Sequence, residues 1–391
     1  MCLYPKLIKN KKYEPNQKNG GLPPILDDVR KKWVAIGCEI CTECRKQRAN
    51  GWKVRLIEEI KIGENWKFIT LTFNEEKLKY WTHLAKKEKD KNGESYTGYA
   101  LDNKIATMAV RKFTEMWRKK YKKAPRHWFV TELGHNGTER LHLHGIIKLE
   151  ANQTLEDVEE RWGCGWVWKG KGKERKNYVN EKTIGYMVKY VHKIDKLHKG
   201  FKSKVLSSKG IGKKWIDSTK REECKFKGAE TKEYYRMKNG YKLGLPIYYR
   251  NKIYSEEERG KLWVNRLEKR KAYVKGIEID VSNERGWRIY YNELMFAREM
   301  DLKINNVSPN IIWKEKHHEE SRREMNRNRV LAYAKKRSST MGALPLNPRE
   351  ASALDDTRSA EKIPDWVESK TKPKTMAEIS WEERSWAWDM S

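Results

Sequence analysis

The sequence predicts an α+β fold: an antiparallel sheet with helices packed on one side of it. Three observations carry this reading. The stretches "WKFITLTF" (66–73), "HWFVTEL" (127–133) and "RLHLHGIIKL" (140–149) are rich in aromatic and β-branched residues, as strands are. Segments with apolar residues at helical spacing lie between some of them and not others, giving the order β, α, β, β, α, β, α instead of regular βα repeats. The Gly- and Asn-rich "GHNGTE" joins two strands directly, which makes that pair an antiparallel hairpin.

Taken in order, the first 35 residues, with "KNGGLPPILDD", read as an irregular arm. "RKQRANGWKVRLIEEIKI" after Cys44 reads as a basic helix with Val54, Ile57 and Ile60 as its apolar stripe, despite Gly51. A polar loop follows the first strand. The helix at 101–121 then places Leu101, Ile105, Met108, Lys112, Met116 and Trp117 near helical spacing. "TLEDVEERW" opens a helix at a Thr cap with acids in its first turn, "GWVW" is a short strand, and "EKTIGYMVKYVHKIDKL" is a second helix. "YYRMKNGYKLGLPIYYRNKIY" reads as a hairpin around Asn239-Gly240. Ser255, with Glu258 at the capping-box position, starts another helix, and "ERGWRIYYNELMFAREM" forms one more. Residues 351–391 carry six Lys+Arg and nine Asp+Glu, reversing the sign of the whole chain, and read as a flexible tail. The expected organisation is an arm with a Cys cluster and a basic helix (1–62), a core (63–200), a basic aromatic accessory region (201–300) and a polar tail (301–391).

Charge narrows the partner. A net charge of +31, from 85 Lys+Arg against 54 Asp+Glu, with 17 Trp and 19 Tyr, suits a polyanion that offers stackable bases. Nucleic acid fits. "MCLYPKLIKNKK" lacks the apolar core of a signal peptide, and no run approaches a membrane span, so the expectation is an intracellular protein without a membrane partner. Six cysteines, three of them crowded into "CEICTEC", do not form a disulfide framework.

Three constellations carry chemistry. His142 and His144, two apart on a strand, project from the same face, and the hairpin turn can bring Glu132 beside them. Two imidazoles and a carboxylate leave open positions for Mg²⁺ or Mn²⁺. On the helix at 181–197, Tyr186 and Tyr190 are i, i+4 neighbours separated by about 6 Å along the axis. Lys189 and Lys193 follow each by three residues, where they could help a phenol act as a nucleophile. Cys38, Cys41 and Cys44 supply three thiols; Cys2, favoured, or Cys164 could complete a structural zinc site, the alternative being reduced thiols at a helix start. Arg45, Lys46, Arg48 and Arg140 are candidate contacts to DNA phosphates.

Glu132, the His142/His144 pair and the doubled Tyr-x-x-Lys resemble the HUH endonucleases that initiate rolling-circle replication, and "FITLTF" looks like the first motif of that superfamily. "MCLYPKLI", "CEICTECRKQ" and "LPIYYRNKIYSEEER" are similar to the replication initiators of small single-stranded DNA bacteriophages, the Microviridae of gokushovirus type, over Met1 to about Trp263. His192 departs from that pattern, which often has another residue there. The resemblance implies a ferredoxin- or RRM-like nuclease that nicks and rejoins phage single-stranded or replicative-form DNA through a 5′-phosphotyrosine. It also implies a divalent metal, host helicase and polymerase as partners, and the bacterial cytoplasm as location. Other readings are a relaxase or transposase of the same chemistry, or a non-enzymatic nucleic-acid binder whose histidines and cysteines hold structural metal.

Overall fold

The computed structural model describes residues 2–28, 31–134, 139–170, 177–195, 197–198 and 200–305. The acidic tail and the tip of the "GHNGTE" turn lie outside them. In chain order the elements are β1 (Lys6–Lys9), β2 (Trp33–Ile36), α1 (Thr42–Ile60), β3 (Trp66–Thr72), α2 (Glu75–Lys87), α3 (Gly98–Tyr121), β4 (His127–Leu133) and β5 (Leu141–Lys148). They continue with α4 (Leu155–Trp162), β6 (Val167–Trp168), α5 (Glu181–His192), β7 (Val205–Ser207), β8 (Tyr234–Arg236) and β9 (Lys242–Gly244). The last are α6 (Ile247–Ile253), α7 (Glu256–Glu268), β10 (Lys271–Val274), β11 (Ile277–Asp280) and α8 (Glu284–Asn305). No helix among the described residues is long and apolar enough to cross a membrane.

The α+β architecture is as expected. Five strands form one antiparallel sheet in the order β6-β3-β5-β4-β7, with β5 central between β3 and β4. The helices, however, cover both faces. Odd-numbered side chains of the long strands, among them Ile69, Leu71, Phe129, Leu141 and Leu143, pack against α2, α3 and α4. Even-numbered Trp66, Trp128, Val130 and Ile146 pack against Leu56 and Ile57 of α1 and Ile184, Met187 and Val188 of α5. The reason is visible in β4, whose seven residues are all buried: a continuous apolar run marks a strand covered on both sides. Gly145 is required at the sheet centre, because a Cβ there would lie 2.1 Å from the Trp128 carbonyl oxygen.

Several boundaries differ from the sequence reading. The loop after β3 contains α2, capped by Asn74 on the Lys77 amide and anchored by buried Trp81 and Ala85. In α3 the buried stripe is Leu101, Ile105, Ala106, Ala109, Val110, Phe113 and Trp117, so Lys112 and Met116 fall outside it. The arm is a ribbon in which Lys6–Lys9 pair with Trp33–Ile36. Helix α5 stops at His192, five residues short of expectation. The hairpin around Asn239-Gly240 forms, but "IYYRNKI" beyond it is α6.

The accessory region divides its contacts. Trp215, Tyr235, Leu243, Tyr249 and Leu262 build a cluster on Val54 of α1. Strands β10–β11 and α8, which runs through residue 300 to Asn305, pack instead on Leu3 and the cysteines.

Candidate active site and cysteine centre

The β4–β5 register sets Glu132 directly opposite His142, with His144 two residues on from His142 and on the same face. Glu132 Oε2 lies 3.1 Å from His142 Nε2 and 2.8 Å from His144 Nε2. Each ring is oriented from behind. His142 Nδ1 is 2.9 Å from the Arg140 carbonyl, and His144 Nδ1 is 2.9 Å from Thr70 Oγ1 on the neighbouring strand. A carbonyl can only accept, so His142 Nδ1 carries the proton and a neutral His142 turns a bare Nε2 toward Glu132. Burial alone would raise the Glu132 carboxyl, but His142, His144 and Lys193 hold it well below the usual carboxylate range. A lone pair facing an ionised oxygen at 3.1 Å calls for a cation between them, and the donor set fits a divalent metal.

Helix α5 carries the tyrosines to this point. Asn180 caps it through the Lys182 and Thr183 amides, and Ile184, Met187, Val188 and Val191 bury its inner side. Just before it, the buried Asn177 accepts from the Phe68 amide and donates to the Phe68 carbonyl, so a side chain completes the pairing of β3. The Tyr190 ring stacks on His144, centroids 4.2 Å apart and planes 14° from parallel. Phe68 lies on His144 as well, with centroids 6.2 Å apart and planes 1° from parallel. The two phenolic oxygens meet at 2.6 Å although the side chains start a helical turn apart. Burial, the Tyr186 hydrogen bond and the Glu132 charge push the Tyr190 phenol above its ordinary range, while Tyr186 is 49% exposed.

The two lysines are not equivalent. Lys193 is the C-cap of α5 and reaches back to Glu132 Oε1 at 2.5 Å, with its ammonium 5.9 Å from the Tyr190 ring centroid. Lys189 is exposed and lines a depression between α5 and α1. His192 turns Nδ1 to the Val188 carbonyl, 3.0 Å away. Of the candidate phosphate contacts, Lys46 and Arg140 are exposed. Arg45 donates to the carbonyls of Ile40 and Lys193, and Arg48 to that of Ser203, so both guanidiniums brace the protein.

Cys2, Cys38, Cys41 and Cys44 converge, their sulfurs all within 4.8 Å of one another. Cys164 lies elsewhere and accepts from the Trp81 indole. Backbone amides of Tyr4 and Cys38 point at the Cys2 sulfur, that of Cys41 at Cys38, and that of Cys44 at Cys41, at 3.2 to 3.4 Å. Hydrogen bonds from Cys2, then Cys41 and Cys44, hold the Cys38 thiol far below its ordinary range. Amide donors aimed at sulfur stabilise thiolates, the form that binds metal.

Sequence reasoning missed a buried triad beside the site. His198, 2% exposed, places Nδ1 2.6 Å from Asp195 Oδ2 and Nε2 2.9 Å from Glu139 Oε1. Glu139 adjoins Arg140, whose carbonyl orients His142, so the triad ties the exit of α5 to the hairpin. Burial would lower the imidazole, but Asp195 and then Glu139 outweigh it and hold His198 at about 9. Because the folded value lies above the ordinary 6.5, this contribution, roughly 3 kcal/mol, is complete below pH of about 6.5 and is lost as pH rises through about 9. Thermal unfolding of the wild type should therefore weaken between about pH 7 and 10, and His198→Gln should lower stability at neutral pH and flatten that dependence. A variant that follows the wild-type profile would remove the triad from this role.

Residues 66–195 match the family model of the replication-associated protein ORF2. The matched span begins with β3 and ends at Asp195, so it contains Glu132, His142, His144, Tyr186 and Tyr190. The match supports a replication-initiator relationship for the sheet and the tyrosine helix. No curated protein and no solved structure matches the chain.

Proposed function

We propose that the protein is an HUH-type replication initiator that nicks and rejoins single-stranded DNA at a phage origin in the bacterial cytoplasm, working beside host helicase and polymerase. The observation that carries this is the meeting of two tyrosine hydroxyls with a Glu-His-His cluster through the stacking of Tyr190 on His144. A Mg²⁺ or Mn²⁺ ion held by Glu132, His142 and His144 would supply Lewis-acid polarisation of the scissile phosphate. The protein supplies the nucleophiles and their placement. A phenolic oxygen bonds to phosphorus and the P–O3′ bond breaks; the phenol loses its proton and the departing 3′ oxygen gains one, so one phosphodiester replaces another and no redox partner is needed. The free 3′-OH can prime synthesis, and the reverse reaction rejoins the strand.

Tyr186 attacks first in this reading. Its hydroxyl is the accessible one, whereas Tyr190 is held neutral, half-buried against His144. The second phenol is then in place for a second origin while the first holds the 5′ end. Lys193, on Glu132 and near the Tyr190 ring, offsets charge as either phenol is deprotonated.

The test of the metal cluster is His142→Ala with His144→Ala. Cleavage of an origin oligonucleotide with Mn²⁺ should fall by about 10³-fold or more while DNA affinity changes little, because affinity rests on dispersed cations. Undiminished metal-dependent nicking by the double variant would refute the assignment. The cysteine centre is proposed to hold one structural Zn²⁺.

A further inference from the structure

We infer that the strand adjoining the cleaved phosphate crosses a basic saddle between α1 and α5 and enters a cleft lined by Trp52, Arg55 and Tyr248. This rests on the nuclease reading above and adds where the rest of the strand goes. The saddle, a depression of about 440 Å³, is lined by Lys46 and Lys53 of α1, by Gly185, Lys189 and His192 of α5, and by Lys193. Lys193 also touches Glu132, so the saddle begins at the tyrosine site. No carboxylate is among its lining residues. Four ammonium groups without an acid among them make a surface that a phosphate backbone complements.

The glycines are an independent observation. Gly51 and Gly185 sit inside helices, where glycine costs about 0.5–1 kcal/mol relative to alanine. A Cβ at Gly185 would meet nothing within 4 Å, and one at Gly51 only the Pro246 side chain at 4.0 Å. Packing does not require either glycine. Both lie on the floor of the two depressions, where a missing side chain lets a ligand come close to the helix.

Asn50 lines the saddle and also the neighbouring cleft of about 2290 Å³. There the Arg55 guanidinium lies between the rings of Trp52 and Tyr248, 4.2 Å from each centroid, and Arg55 Nε is fixed to the Ile211 carbonyl. The acids at this cleft are partly neutralised: Glu39 pairs with Lys202, and Glu233 with Arg250 and Arg266. Cations with rings among them suit a single strand whose bases are free to stack, which a duplex does not offer.

The test uses the full chain without added metal and a fluorescein-labelled oligothymidylate, measured by anisotropy across a salt series. Lys46→Glu with Lys53→Glu should weaken binding about tenfold at low salt and reduce the salt slope by about 1.4, from two phosphate contacts at about 0.7 each. Gly185→Ala should keep affinity and raise the melting temperature, whereas Gly185→Leu should weaken binding with the fold intact. Unchanged affinity and slope in the double lysine variant would overturn the track, as would equal competition by duplex DNA. Covalent adduct formation by the wild type is scored separately. Adduct with an unaltered lysine variant refutes the track alone, and weakened binding in a wild type that forms no adduct refutes the nuclease reading alone.

Discussion

The Tyr186→Phe, Tyr190→Phe double variant should form no covalent adduct with an origin oligonucleotide in Mn²⁺, a loss of at least about 10³-fold, or about 4 kcal/mol of transition-state stabilisation. Phenylalanine keeps the ring that stacks on His144 and removes only the two oxygens that meet at 2.6 Å. The fold should be retained, because that hydrogen bond is partly exposed and contributes only about 1 kcal/mol. Each single variant should still cleave one oligonucleotide. Tyr190→Phe should be the faster, since it leaves the exposed Tyr186 in place; Tyr186→Phe leaves a half-buried phenol that must be drawn out or approached by the strand. Neither should complete cleavage followed by transfer to a second origin. Mass spectrometry of the tyrosyl peptide and a two-origin joining assay check both statements. An adduct in the double variant places the nucleophile elsewhere, and a single variant fully competent in joining makes its missing tyrosine dispensable.

The parts of this site that were legible in the sequence are those governed by short-range geometry. His142 and His144 share a face because a strand repeats every two residues, and the turn brings Glu132 opposite. The tyrosines meet because helix neighbours are four apart, and the caps at Thr154 and Ser255 follow local hydrogen-bonding rules. What escaped the sequence depends on long-range placement. "VHKIDK" carries no Gly or Pro to mark the end of α5, so the role of Lys193 as a C-cap reaching Glu132, 61 residues away, left no local trace. His198 meets Glu139 across 59 residues, and Arg45 meets the Lys193 carbonyl across 148. Helices on both faces of the sheet were signalled only by the unbroken burial of β4, which a period-two expectation passes over. Helix α2 was hidden by its composition, since Trp81 and Ala85 are its two buried residues.

Protein purified without chelator should contain about one zinc per chain, and Cys41→Ser should lose it together with several kcal/mol of stability. The Cys2 and Cys41 sulfurs are 3.9 Å apart, close to the about 3.8 Å edge of a tetrahedron with Zn–S bonds of about 2.3 Å, and far beyond a disulfide. Cys41 is 1% exposed and packs in the cluster that includes Leu3, Val274, Tyr290 and Leu294, so its loss acts on a whole substructure. That substructure is tied to α1 at one further point, where Asp301 accepts from the amide and the hydroxyl of Thr42 at the start of the helix. The arm is held to α8 by the Arg298 guanidinium on the Leu3 carbonyl and the Tyr4 hydroxyl on the Arg298 carbonyl. Without the metal, β10, β11 and α8 should open first while the sheet and its two helical layers persist, because those layers have apolar cores of their own. Limited proteolysis of the chelated protein should accordingly cut within residues 270–305 before the sheet, and added Zn²⁺ should restore protection to the wild type but not to Cys41→Ser. Since α1 packs on α5, the same opening should slow nicking without touching Glu132, His142 or His144. Absence of zinc in a protein that resists protease equally with and without chelator would leave four reduced thiols and no metal centre.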